Sequence, residues 1–114
     1  MKITKFEDII AWQKAGKLTI KIYKIFENSS NYNFKNQIER CVLSIMNNIA
    51  EGFERMSNKE FKYFLFIAKR SCGEVRSMLY IAFKLNYINT NQFNKLLSQT
   101  IEISKMLSGL IKTL

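Results

Sequence analysis

The sequence predicts an all-α fold: an antiparallel up-down-up-down four-helix bundle formed as a single domain by residues 1–114. Apolar residues recur with the period of a helix in four segments, at about 7–27, 34–55, 58–87 and 91–113. The joints between these segments are short and polar, which forces consecutive helices to run antiparallel. Sustained alternation and Asn-Gly or Asp-Gly hairpin turns, which indicate strands, do not occur in the sequence.

The first segment is predicted to begin near Asp8, whose negative charge favours a helix N-terminus. Its apolar residues spread over a wide arc, which indicates contacts with neighbours on more than one side. The predicted face comprises Ile9, Trp12, Gly16, Ile20, Tyr23 and Phe26, and the wider arc adds Ala15, Leu18, Ile22 and Ile25.

Polar residues predict where the later segments begin. A loop at 28–33 precedes the second segment. Ser57 and Glu60 predict a capping box at the start of the third segment, and Asn89 predicts a cap for the fourth. The predicted core face of the second segment is Ile38, Val42, Ile45, Met46, Ile49 and Phe53. The predicted core face of the fourth segment is Phe93, Leu96, Leu97, Ile101, Leu107, Ile111 and Leu114.

Composition limits the classes of function. A chain of 114 residues with 47% apolar residues can bury a core without a disulfide or a metal ion. The absence of histidine removes the commonest general base and metal ligand, so we expect no enzymatic activity, no metal and no cofactor. No signal peptide or membrane-spanning run is evident, which predicts a cytoplasmic protein. Cys41 and Cys72 are expected to be small buried apolar residues.

The net charge of +9 indicates polyanionic partners, although abundant Lys, Asn and Ile also suit an AT-rich genome, so only the arrangement of charge is informative. Four cations of the first segment fall within about 80° of one helical face. The spacing of their ammonium groups is similar to that of phosphates along a nucleic-acid backbone, which suits phosphate binding. The alternative is an ordinary solvated face of the helix. This lysine row consists of Lys14, Lys17, Lys21 and Lys24.

The third segment places cations and aromatic rings on one side. Cations that bind phosphates and rings that stack on bases suit a single-stranded nucleic acid. The same pattern also suits a subunit contact with a charged rim. This aromatic stripe consists of Lys62, Phe66, Lys69, Gly73, Arg76, Tyr80, Lys84 and Tyr87.

A polar stripe runs along the second segment and faces Ser71 and Glu74 of the third. An unpaired carboxylate in a core costs several kcal/mol, so Glu74 is expected to bond to its polar neighbours. These polar side chains form either a ligand pocket or a structural network, and we favour the structural network. An enzyme that uses Glu51 and Glu74 is the least favoured interpretation. The stripe comprises Gln37, Arg40, Ser44, Asn47, Asn48, Glu51 and Arg55, and the predicted network is Ser44, Asn48, Glu51, Arg55, Ser71 and Glu74.

Three runs of residues resemble bacterial four-helix bundle proteins encoded by intervening sequences within 23S rRNA genes. The likeness covers nearly the whole chain. It rests on residues 6–15 with Leu18 and Ile22-Tyr23; on Ser44-Ile45, Asn48-Ile49-Ala50-Glu51-Gly52 and Arg55; and on Phe61, Phe64-Leu65, Ile67-Ala68, Ser71 and Glu74.

The resemblance implies a homopentamer with no established enzymatic activity and a role with nucleic acid or ribonucleoprotein. A related protein, the accessory subunit of diversity-generating retroelements, is similar in fold and partners a reverse transcriptase. Two positions depart from the family pattern: Glu39 precedes Arg40 where paired basic residues are usual, and Arg70 precedes Ser71 where a small residue is common.

These observations predict a basic homo-oligomeric bundle that binds RNA or DNA without sequence preference. The alternative is a protein-interaction adaptor, such as a reverse-transcriptase accessory subunit, whose basic faces only keep it in solution. The predicted nucleic-acid-binding residues are Lys14, Lys17, Lys21, Lys24, Lys62, Lys69 and Arg76.

Overall fold

The computed structural model describes residues 2–114 and is all-α, as predicted. Within that range no strand forms. None of the four helices combines the length and the apolarity that crossing a bilayer requires. The elements are a 3-10 turn at Phe6–Asp8 and the helices α1 (Ile10–Phe26), α2 (Tyr32–Phe53), α3 (Asn58–Lys84) and α4 (Thr90–Lys112).

The start of α1 differs from the prediction. Ile9 is extended (φ −75°, ψ 117°) and separates the 3-10 turn from α1, so Asp8 lies outside the first turn of the helix. Asp8 is therefore the residue just before the N-cap of α1 rather than part of the helix, which begins three residues later than predicted. The side-chain amide of Gln13 instead donates to the Glu7 carbonyl at 2.8 Å and ties the turn to the helix.

Side-chain caps start the other three helices. Asn31 accepts from the Phe34 amide at 3.1 Å, so α2 starts two residues before the predicted position. Ser57 accepts from the Glu60 amide at 3.2 Å, but Glu60 does not reach back to the Ser57 amide, so the predicted capping box is half formed. The Asn89 cap is confirmed, and Gln92 completes a full capping box there.

The end of α3 comes three residues earlier than predicted. Asn86 adopts φ 61°, and the amides of Asn86 and Tyr87 bond to the carbonyls of Phe83 and Ala82. This Schellman arrangement satisfies carbonyls at the helix end and turns the chain away. Tyr87 is therefore not part of the helical aromatic stripe. Its hydroxyl accepts from the side-chain amide of Asn31 at 2.8 Å.

The four helices form a four-cornered bundle in which each helix packs on two others. The pairs in contact are α1 with α2, α2 with α3, α3 with α4, and α4 with α1. The core lies along the centre, and burial of each large side chain contributes about 1.5–3 kcal/mol. Its largest fully buried members are Phe26, Leu18, Ile22, Ile38, Ile45, Ile49, Leu65, Leu79, Leu96, Ile103, Leu107 and Val42.

The core face of α1 is rotated from the predicted one. Ile20 and Tyr23, which were expected to be in the core, are 57% and 38% exposed. Trp12 and Gly16 are half-buried beside them. The buried side is the one that holds Ala15, Leu18 and Ile22, which the prediction placed in the wider arc. Apolar residues surround so much of α1 that its sequence alone does not select one side. The buried residues of α1 are Ala11, Ala15, Leu18, Thr19, Ile22 and Phe26.

The junction of α2 and α3 depends on a glycine. A Cβ atom at Gly52 would lie 2.7 Å from the Phe64 Cβ and 3.0 Å from a ring carbon of Phe61. Cβ atoms do not normally approach this closely, so only glycine lets the end of α2 lie against the start of α3 without a shift of the helices. Phe53 and Phe61 close the same junction with an edge-to-face contact at 5.8 Å.

Candidate nucleic-acid interface

Charge is distributed unevenly among the helices. The lysine row supplies four cations to α1, which contains no carboxylate. Helix α4 adds Lys95, Lys105 and Lys112 and contains one carboxylate, Glu102. Helix α2, in contrast, contains two cations and two carboxylates. The α1–α4 side of the bundle therefore carries a net charge of +6 and α3 carries a net charge of +4, while α2 is neutral overall.

Most of the lysine row faces solvent. Lys17, Lys21 and Lys24 are exposed, and among residues 2–114 none of them forms an ion pair. Lys14 differs, because its Nζ lies 3.2 Å from a carboxylate oxygen of Glu102. Three ammonium groups of the row are thus free to meet phosphate, and the fourth has an acidic neighbour.

The aromatic stripe is less uniform than the sequence indicated. Arg76 is exposed, whereas Lys62 and Lys69 are half-buried. Phe66 is 51% exposed, so one face of its ring is open to a base or to another subunit. Tyr80 is 48% exposed and its ring meets that of Phe93 edge to face at 5.2 Å.

A second apolar strip on α3 escaped the sequence analysis. Tyr63, Ile81 and Leu85 are 62%, 50% and 53% exposed. The signal was present, since 18 residues make five full turns of a helix and place Tyr63 and Ile81 in one direction. Arg70 and Glu74 are exposed between Tyr63 and Ile81 in the same direction, so this α3 strip consists of two separate apolar patches, Tyr63 and the Ile81–Leu85 pair.

The predicted polar network divides into two parts. The inner part is a small cluster between α2 and α3, where the hydroxyls of Ser44 and Ser71 lie 3.0 Å apart. The Asn48 side-chain amide donates to the Ser44 carbonyl at 2.8 Å and to its hydroxyl at 2.9 Å. The inner cluster satisfies its own polar groups, so it fixes two helices relative to each other as a structural network does.

The outer part lies around Arg55 on the surface. Its guanidinium lies 3.7 Å from Glu51 and 3.8 Å from Glu60, and it covers the Phe64 ring at 4.8 Å. The quadrupole of the Phe64 ring attracts the cation that lies over its face. Arg55 therefore joins the end of α2 to the start of α3.

The predicted role of Glu74 is wrong. Glu74 is exposed on α3, and within the described part of the chain it forms neither a hydrogen bond nor an ion pair. Glu74 follows Ser71 by three residues, which places it about 60° from Ser71 around the helix on the side away from the core, so it reaches water without needing buried partners. Three other members of the stripe, Gln37, Arg40 and Asn47, are exposed as well.

The two thiols are unreactive in different degrees. Burial raises the pKa of Cys72 to about 12, and its side chain is fully buried as predicted. Cys41 is only half-buried; burial first and the nearby Glu74 carboxylate second raise its pKa above the ordinary value. Both thiols stay protonated near neutral pH, which makes them weak nucleophiles. From residue 2 to residue 114, no group of His, Cys, Asp and Glu is arranged to hold a metal ion.

Residues 7–109 match the family model described as 23S rRNA-intervening sequence protein. The chain belongs to this family. The family hallmark is the α2 run Ser44-Ile45, Asn48-Ile49-Ala50-Glu51-Gly52 and Arg55, on which the resemblance partly rests. Its residues have structural roles here, because Asn48 bonds to Ser44 and the absence of a side chain at Gly52 leaves room for Phe61 and Phe64.

One solved structure has a very similar fold. It is a crystal structure of a protein with unknown function from the S23 ribosomal protein family of Bacteroides thetaiotaomicron. The two chains are 25% identical, the match covers 90% of this chain and 96% of the other, and the TM-score is 0.84. No curated protein matches the chain significantly.

Proposed function

We propose that this protein is a non-enzymatic, cytoplasmic bundle that assembles with copies of itself and binds nucleic acid without sequence preference, in an rRNA or ribonucleoprotein setting. The observation that carries the proposal is the exposed part of the lysine row. Lys17, Lys21 and Lys24 project from a helix that contains no carboxylate. Cations gathered in this way bind phosphates through counterion release, which carries no sequence information.

Contacts at the two ends of the bundle support the antiparallel order of helices. At one end, Ile9, Phe53, Phe61 and Leu114 line one cavity, so the starts of α1 and α3 lie near the ends of α2 and α4. At the other end, Phe26 meets Phe34 at 5.8 Å. The end of α1 therefore lies near the start of α2.

Self-association is supported by uncovered apolar surfaces. Ile20 and Tyr23 on α1 and the α3 strip are different surfaces on different helices. A contact between unlike surfaces closes into a ring when the rotation between copies permits. The homopentamer that the resemblance implies is such a ring, and at +9 per chain it would carry a formal charge of about +45.

The second candidate function is a protein-interaction adaptor, for example a reverse-transcriptase accessory subunit, with no direct role in nucleic-acid binding. The α3 strip favours it, because exposed aromatic and aliphatic side chains are typical of protein contacts. A pull-down of a partner polypeptide that survives nuclease treatment would favour the adaptor. A reading frame inside an rRNA gene, rather than beside a reverse transcriptase gene, would favour the nucleic-acid role.

Binding measured against salt tests the proposal. We expect the protein to bind single-stranded and double-stranded probes at low salt and to lose affinity steeply as salt is added. The variant Lys17→Glu/Lys21→Glu/Lys24→Glu should lose most of this binding, and because these side chains are exposed it should keep its thermal unfolding transition.

The control is Lys2→Glu/Lys5→Glu/Lys59→Glu, which changes the net charge equally at exposed positions outside the lysine row. It should bind more strongly than the row variant. Absence of binding at low ionic strength, or equal losses in the two variants, would remove the lysine row as the binding surface. Light scattering coupled to size exclusion measures the number of subunits in the same samples.

A further inference from the structure

Lys14 is the member of the lysine row that the structure holds in place. Its Nζ lies 3.2 Å from Glu102 Oε1, and the two side chains are 41% and 54% exposed. Glu102 is the one carboxylate of α1 and α4, two helices that carry seven lysines. A carboxylate therefore occupies a place where Lys14 could otherwise meet a phosphate.

The seam beside this ion pair is incompletely filled. A cavity of about 160 Å³ lies between α1 and α4, lined among others by Lys14, Lys17 and Glu102. Gln99 lines the same cavity, and its buried side-chain oxygen has no hydrogen-bond partner. Close packing normally leaves few such spaces, so Lys14 has room to move away from Glu102.

We propose that Glu102 is an internal substitute for a phosphodiester group: it holds Lys14 until a phosphate of the bound nucleic acid takes the place of the carboxylate. The inference rests on the proposed function and adds a regulatory residue to it. Carboxylate and phosphate oxygens accept the same charge-assisted hydrogen bonds from an ammonium group. A half-exposed ion pair is weak, so a polyanion already bound to Lys17 and Lys21 can displace it.

Removal of the carboxylate tests the inference. We expect Glu102→Gln to bind a short fluorescein-labelled oligouridylate about two- to fivefold more tightly than the unmodified protein, since a weak pair no longer competes. The slope of log affinity against log salt should change by less than about 0.7, the contribution of one phosphate contact on a single strand, because Lys14 contacts a phosphate in both complexes.

The matched control is Glu74→Gln, which raises the net charge equally but removes an exposed carboxylate that forms no ion pair within residues 2–114. Its effect on affinity should be smaller than that of Glu102→Gln. A second comparison uses lysines: Lys14→Gln should cost less affinity than Lys17→Gln in the unmodified protein, and the two should cost the same in the Glu102→Gln background.

The outcomes separate this inference from the proposed function. Salt-dependent binding with equal gains in Glu102→Gln and Glu74→Gln would overturn the role of Glu102 and leave the lysine row as the binding surface. Tighter binding by Glu102→Gln than by both the unmodified protein and Glu74→Gln would support it. Absence of binding in all variants would overturn both.

Discussion

The two sides of the bundle use polar residues in opposite ways. On the α1–α4 side, Lys17, Lys21 and Lys24 extend into solvent without ion pairs among the described residues. On the α2–α3 side, Ser44 and Ser71 bond to each other inside a seam. Side chains of the second kind hold helices together, whereas those of the first kind remain available to a partner. The family hallmark lies on the structural side, so it identifies the fold more directly than the function.

The largest expected effect compares a glycine on each side. Gly52→Ala should lower the free energy of unfolding by about 2–4 kcal/mol, because its Cβ would overlap Phe64 and force α2 and α3 apart. At Gly16 the new Cβ would lie an ordinary 3.7 Å from Met46 Cε, so Gly16→Ala should be neutral or stabilise by up to about 1 kcal/mol. Urea unfolding of both variants measures the difference. Similar stabilities would show that the α2–α3 junction yields more easily than its geometry indicates.

The inner cluster gives the next largest effect. Ser44→Ala should destabilise by about 1–3 kcal/mol, because it leaves the buried Ser71 hydroxyl without its partner. Adding Ser71→Ala should recover part of the loss, since no buried hydroxyl then remains unpaired.

The control for this cycle is Ser98→Ala on the exposed surface of α4, where a change within about 0.5 kcal/mol is expected. If the double variant loses the sum of the unfolding free energies lost by Ser44→Ala and Ser71→Ala, the two hydroxyls are not coupled. The cluster then contributes no more than separate surface hydroxyls would.

The sequence predicted the features that depend on neighbouring residues, and it did not predict those that depend on contacts between helices. The helices and the Asn89 cap follow from local rules, since a cap needs only residues three apart. The core side of α1 did not follow, because more than half of its residues are apolar and contact with α2 and α4 selects the side. The Lys14–Glu102 pair joins residues 88 positions apart, and no local pattern records such a contact.

Alkaline pH should weaken the α2–α3 side through Cys72. The pKa of this thiol is raised from 9.0 to about 12 in the folded protein, so its neutral form is favoured there. The contribution of this thiol to the free energy of unfolding is complete below pH 9. It is lost as the pH rises toward 12, because the thiol ionises at lower pH in the unfolded chain than in the folded protein. By pH 10 the loss should reach about 1 kcal/mol.

Cys72→Ala supplies the comparison for that pH profile, because the two proteins differ in this one thiol. The free energy of unfolding should fall less between pH 8 and pH 10 in the variant than in the unmodified protein. Parallel profiles would mean that water reaches the thiol in the folded state.

The smallest expected effect concerns Glu74, an exposed carboxylate of the α2–α3 side. Glu74→Gln should change the free energy of unfolding by less than about 0.5 kcal/mol, since within residues 2–114 the side chain forms no bond that the amide would lose. Its proximity to Cys41 gives a second measurement: the carboxylate helps to raise that thiol's pKa, so its removal should speed the reaction of Cys41 with a thiol reagent. A loss of several kcal/mol would instead place Glu74 among the hydrogen-bonded groups between the helices, and the division between a packed side and an open side would then need to be redrawn around it.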